Sequence, residues 1–260
     1  MNLLKGGTLS FQLFQNFFKF NIPCDVACKN DYETNFQEFQ YTKLSFSLQK
    51  KNISMTPTKP ILFYFGGLGV SDIQHRLQLF LNYDNATKCM NPIIYSIHME
   101  AIHDINKMIK IGYELYLHAR EEYPEYSFAF VGHSLGSGIA AHIVKMIFEK
   151  EIKPPLYKLI LISTYPDLSA IYEKSSLKSL IKYLFQNILD NDDALKTILK
   201  KDPSFSNKII ILQGKNDKIF SSHPLEKMLQ NIIYKNVSLI LLNSDHFEPA
   251  DFLLWNKYLC

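Results

Sequence analysis

The feature that most constrains this chain is an abrupt junction. The run Ser127-Phe128-Ala129-Phe130-Val131 passes with no linker into Gly132-His133-Ser134-Leu135-Gly136. A short apolar run of this kind reads as a strand buried on both faces, the sort found in parallel sheets. Ile139, Ala140, Ile143, Met146 and Ile147 follow at helical spacing, so a helix begins almost at once. Strand, turn and helix together leave one sharp reversal with Ser134 at its tip. Such a turn demands small residues, because side chains two positions either side of the serine would collide with neighbouring elements. Ser137, Gly138, Ala140 and Ala141 extend the small surface and let the helix approach the sheet.

The same alternation recurs from residue 36 onward. Phe36–Leu48 holds one or two opening strands, and Pro60 introduces the apolar strand Ile61–Phe65, which ends at Gly66-Gly67-Leu68-Gly69. A helix started by Ser71 or Asp72 is expected next, then a strand over Pro92–Ile97 and a helix capped by Asp104 and stopped by Pro124. Leu159–Ser163 is a further strand. Pro166 to Ser206 reads as a helical excursion with Leu177, Leu180, Ile181, Leu184, Phe185 and Ile188 on one face. The strand Ile209–Leu212 ends at Gly214-Lys215-Asn216-Asp217. A helix from Pro224, a strand over Val237–Leu242, Asn243-Ser244-Asp245-His246 and a closing helix around Phe252–Tyr258 complete the chain. The expected class is α/β: a mainly parallel central sheet flanked by helices, occupying 36–260, with 166–206 as a cap and 1–35 as a separate segment.

Composition narrows the partners. The 28 Lys and Arg against 25 Asp and Glu leave a formal charge of +3, and no basic stripe interleaves with aromatics, so nucleic acid is not an expected partner. No run reaches the roughly 18 apolar residues of a spanning helix. Leu3, Leu4, Phe11, Phe14, Phe17 and Phe18 either pack on the domain or form a shallow interfacial anchor, which admits peripheral membrane contact. Cys24, Cys28, Cys89 and Cys260 make no disulfide framework or complete zinc pattern, and reduced thiols in the cytoplasm are the expectation. No metal or cofactor is expected, since neither a dinucleotide fingerprint nor a phosphate loop is present.

The chemistry-bearing groups fall just past the carboxyl ends of strands, where crevices form in open α/β sheets. A serine hydroxyl is a poor nucleophile at neutral pH and needs a base within reach, itself oriented by an acid. Of the eight histidines only His223 and His246 lie well downstream of the Ser134 turn, and His246 directly follows the last expected strand. His246 is therefore the expected base. Asp217, in a Gly-x-x-Asp turn one strand earlier, is the expected acid, with Asp167 as its rival. Donors for a developing oxyanion are expected from the backbone N–H of Leu135 and from the Gly66–Gly69 turn, with Leu68 N–H the favoured choice. Gly67 and His133 are expected beside the substrate.

Gly132–Gly136 with Ser137-Gly138, the turn Gly214-Lys215-Asn216-Asp217 and the ending Ser244-Asp245-His246 together resemble the α/β-hydrolase superfamily over roughly residues 60–250. Asp72–Leu77 and Leu189-Asp190-Asn191 look like its branch of lysophospholipid and monoacylglycerol lipases and protein depalmitoylases. Two departures stand out. Phe65-Gly66-Gly67-Leu68 replaces the family's His-Gly-Asn, and 1–35 matches nothing in it. The resemblance implies a serine hydrolase that cleaves a carboxylic ester or thioester of an acyl lipid or acylated protein through an acyl-serine. Amide or peptide hydrolysis on the same triad, and a non-catalytic binding or scaffold role, are the alternatives.

Overall fold

The computed structural model describes residues 41–45, 56–67, 93–97, 105–168, 189–246 and 256–260. Seven strands form one sheet: β1 (Tyr41–Ser45), β2 (Ile61–Phe65), β3 (Ile93–Ile97), β4 (Phe128–His133), β5 (Leu156–Ile162), β6 (Ile209–Gly214) and β7 (Ser238–Leu242). Their order across the sheet is β1-β3-β2-β4-β5-β6-β7. β1 runs antiparallel to β3, with Tyr41 opposite Ile97, and every other neighbouring pair is parallel. The helices are α1 (Ile105–Glu122), α2 (Leu135–Lys150), α3 (Asn191–Lys201) and α4 (Ser222–Leu229).

Strand side chains alternate between two apolar layers, as the period of two requires. Phe63, Phe65, Phe128, Phe130, Leu159, Leu161, Ile209 and Ile211 join one cluster, which also takes the buried faces of all four helices. Leu62, Tyr64, Ala129, Val131, Ile160, Ile162, Ile210 and Leu212 form the opposite layer, met by Leu259 and Tyr258 near the C-terminus. Both faces of β2, β4, β5 and β6 are thus covered, which explains why these strands read as unbroken apolar runs. On the helical face Phe63 stacks on Tyr95 at 5.1 Å and on Phe130 at 4.8 Å, a ladder across three neighbouring strands. Tyr116 of α1 meets Phe128 edge-on at 5.4 Å and locks the helix to that ladder.

Several boundaries differ from expectation. β5 begins at Leu156 rather than Leu159, because Tyr157 and Lys158 are half-buried and break the apolar signal. α3 starts where Asp190 caps it, its carboxylate accepting from Asp193 N–H at 2.8 Å. Segment 1–35, the helix expected from residue 71, the cap face Leu177–Ile188 and most of the closing helix lie outside the described residues. Cys260 is disulfide-bonded rather than a reduced thiol. A cysteine count carries no information about which thiols a fold brings into bonding distance. Among the described residues no helix is long and apolar enough to cross a membrane.

Candidate active site

The turn between β4 and α2 is built by steric necessity. Ser134 has φ 54° and ψ −124°, a conformation L-residues avoid unless their surroundings enforce it. Its N–H donates to Ile162 O at 2.9 Å, which continues the β4–β5 ladder one residue beyond the strands. A Cβ at Gly136 would lie 2.1 Å from Phe65 O, and one at Gly132 would lie 2.3 Å from Gly136 O. The two glycines are therefore required because backbone touches backbone on both sides of the serine. Ser134 itself remains partly open to solvent.

Asp217, the expected acid, lies in the turn after β6. Asp217 Oδ1 accepts from the N–H groups of Ile219 and Phe220, each at 2.8 Å. Its Oδ2 accepts from Gln213 Nε2 at 2.9 Å and from His246 Nδ1 at 2.7 Å. Four donors thus fill a carboxylate that is wholly shielded from solvent, the arrangement a buried charge needs. Gly214 makes room for the neighbouring loop, since a Cβ there would lie 2.0 Å from Asp245 O.

His246 completes the set from the loop after β7. Its Nε2 lies 3.0 Å from Ser134 Oγ, while Nδ1 faces Asp217. An ionised carboxylate accepts only, so Nδ1 carries the proton and Nε2 is left as acceptor for the serine hydroxyl. Ser134, Asp217 and His246, 112 residues apart from first to last in the sequence, meet at one rim of the sheet. The backbone carbonyl of His246 is held from beneath by Ser163 Oγ at 2.6 Å and lies 3.2 Å from His133 Nε2. Phe220 packs its ring 5.5 Å from the imidazole.

The remaining expected residues divide. Gly67 faces the serine, with room for a Cβ only 3.3 Å from Ser134 Cβ. Leu135 opens α2, where a backbone N–H has no intrahelical acceptor. Leu68 lies outside the described residues. His133, expected beside substrate, is 1% exposed and turned toward the His246 backbone. His223 is exposed on α4, and the carboxylate hydrogen-bonded to the imidazole Nδ1 is that of Asp217. Gln213 and Ser163 escaped sequence reasoning. Both follow apolar strand residues and could have been flagged only as polar groups where a buried strand should stay apolar.

A seven-stranded, mostly parallel sheet with a serine on a strained strand–helix turn is the architecture called the α/β-hydrolase fold, and this chain has that fold. Residues 71–196, just short of half the chain, match the lipase (class 3) family, a stretch that includes Ser134 but stops before Asp217 and His246. Among solved structures, Est1E from Butyrivibrio proteoclasticus is 15% identical with a TM-score of 0.55, covering 87% of this chain and 94% of its own. The esterase domain of a Rhodothermus marinus protein is 12% identical with a TM-score of 0.53, covering 88% and 93%. No curated protein sequence matches the chain.

Proposed function

We propose that this chain is a serine hydrolase that cleaves a carboxylic ester or thioester of an acyl chain. The observation that carries the reading is His246, which bridges Ser134 Oγ at 3.0 Å and Asp217 Oδ2 at 2.7 Å. His246 Nε2 takes the hydroxyl proton as Ser134 Oγ bonds to the substrate carbonyl carbon. The tetrahedral oxyanion is held by Leu135 N–H and by a second donor from the Gly66–Gly69 turn, with Leu68 the favoured residue. Collapse breaks the bond to the leaving alcohol or thiol, which receives the proton from His246. Water then repeats the sequence on the acyl-serine, releasing the acid and restoring Ser134. Asp217 stays ionised throughout and stabilises the imidazolium. The match to the lipase (class 3) family supports an acyl ester over a peptide as substrate. Acyl lipids or acylated proteins, reached by peripheral contact with a membrane, are the substrate class proposed.

A fluorophosphonate probe tests the mechanism, because it phosphonylates only an activated serine. The wild type is expected to label and Ser134→Ala to stay blank. Ser134→Ala and His246→Ala should each lose ester turnover by about 10⁴-fold or more, since triad members act as a unit. Equal labelling of wild type and Ser134→Ala would sink the assignment. A panel of short-acyl esters, long-acyl esters and peptides separates acyl-ester cleavage from amide cleavage.

A further inference from the structure

Behind Ser134 three polar side chains, unused by the chemistry above, stand in a line. Ser137 Oγ lies 2.6 Å from the carbonyl oxygen of Ser134 and 2.7 Å from Thr164 Oγ1. Asn191 Nδ2 lies 3.2 Å from Thr164 Oγ1 and 2.9 Å from the carbonyl of Tyr165. Ser137, Thr164 and Asn191 are all at most 1% exposed and come from α2, the exit of β5 and the start of α3.

The direction of these bonds follows from the groups. A carbonyl only accepts, so the Ser137 hydroxyl donates to Ser134 O. With its one proton committed, Ser137 accepts from the Thr164 hydroxyl, and Thr164 in turn accepts from the Asn191 amide. Every donor in the line therefore points toward Ser134 C=O, which also accepts the Ser137 N–H at 2.9 Å. That carbonyl shares its peptide unit with the N–H of Leu135. Amide resonance couples the two ends, so drawing density onto the oxygen makes the N–H a stronger donor.

We propose that Asn191, Thr164 and Ser137 form a polarising chain that strengthens the Leu135 N–H and fixes its aim at the oxyanion. The three are positioning residues, and the proposal rests on the serine-hydrolase reading above. A purely structural tie accounts less well for the chain. Asn191 Oδ1 is buried with no hydrogen-bond partner among the described residues, an expense that an apolar side chain at this position would avoid. Ser137 alone would suffice to satisfy the helix start, yet the line continues inward through two further polar groups.

Three variants test it. Thr164→Val is isosteric and cuts the line in its middle, Ser137→Ala removes the terminal donor, and Asn191→Leu removes the origin. Each is assayed for kcat and KM on a short-acyl ester, for melting temperature, and for affinity toward a short alkyl boronic acid. The boronic acid bonds to Ser134 Oγ and becomes a tetrahedral anion whose oxygen occupies the oxyanion position. The expected kcat falls about tenfold for Ser137→Ala and about threefold for the other two, with KM within about twofold. Boronate affinity should fall by the same factor as kcat in each variant. Folded variants with unchanged kcat and boronate affinity, or with a loss confined to KM, overturn the chain. A wild type that neither labels with fluorophosphonate nor turns over esters overturns the underlying reading, and the chain with it. An active wild type beside unaffected variants overturns the chain alone.

Discussion

Ser134 is held by a turn in which backbone touches backbone on both sides, whereas Asp217 and His246 are held mainly by hydrogen bonds, with one such close approach at Gly214. On the Ser134 side Gly132 and Gly136 admit no Cβ, and the strained φ of Ser134 is enforced by β4, β5 and the Phe65–Gly67 turn closing around it. On the Asp217–His246 side the described parts of the loops after β6 and β7 have no regular secondary structure. They are tied by backbone bonds from Lys215 and Asn216 to Leu242 and Ser244, by the Asp217 carboxylate with its four donors and by the clamp of Ser163 on the His246 carbonyl. The first half should therefore fail by steric collision, with loss of folding. The second should fail by chemistry, with folding largely retained.

The sharpest way to break that contrast is Asp217→Asn. The amide keeps a carbonyl for the N–H groups of Ile219 and Phe220 but presents hydrogens where Gln213 and His246 now donate. The imidazole must take the other tautomer, with its proton on the nitrogen that should receive one from Ser134. Ester kcat should drop about 10⁴-fold, as expected when a triad acid loses its charge but not its shape. The melting temperature should change far less than the activity. Near-normal turnover would mean that the acid side does no more than hold its loop.

Gly136→Ala is the converse test. The added methyl would sit 2.1 Å from the Phe65 carbonyl, which belongs to β2 and cannot swing aside as a side chain would. The destabilisation should exceed the usual overpacking range, at about 3 kcal/mol or more, and appear as a lowered denaturant midpoint or an insoluble product. A folded, stable Gly136→Ala protein that had lost only activity would erase the distinction between the two halves.

The sequence disclosed these halves unequally, for the same physical reason. A turn with no room for side chains must be written in glycine, so Gly132-His133-Ser134-Leu135-Gly136 is legible locally. The strands at Ile61, Phe128 and Ile209 are legible because burial on both faces leaves them continuously apolar. Asp217 and His246 were readable from their places after strands. What supports them was not: Gln213 looks like one polar residue at a strand end, and Ser163 like an ordinary strand exit. The line Ser137–Thr164–Asn191 joins three elements whose proximity no local pattern encodes. His133 misled for a related reason, since its position beside the nucleophile says nothing of which way the strand turns its ring.

The smallest expected effect concerns α2, the helix that begins directly after Ser134. His142 donates from Nδ1 to Gly138 O at 2.9 Å, one turn after Ser134. Burial lowers its pKa below the ordinary 6.5, with the Gly138 bond and the nearby Asp190 and Asp193 opposing and Lys145 assisting. The folded protein thus resists protonating a group that the unfolded chain protonates readily. Above about pH 6.5 both states hold a neutral imidazole, and the contribution to stability is complete. As the pH falls below that value the unfolded state gains protons first, and stability declines until the folded pKa is passed. His142→Gln, which keeps a donor for Gly138 O, should flatten the fall in urea midpoint between about pH 7 and about pH 5.5. An unaltered slope in His142→Gln would move the acid sensitivity away from α2.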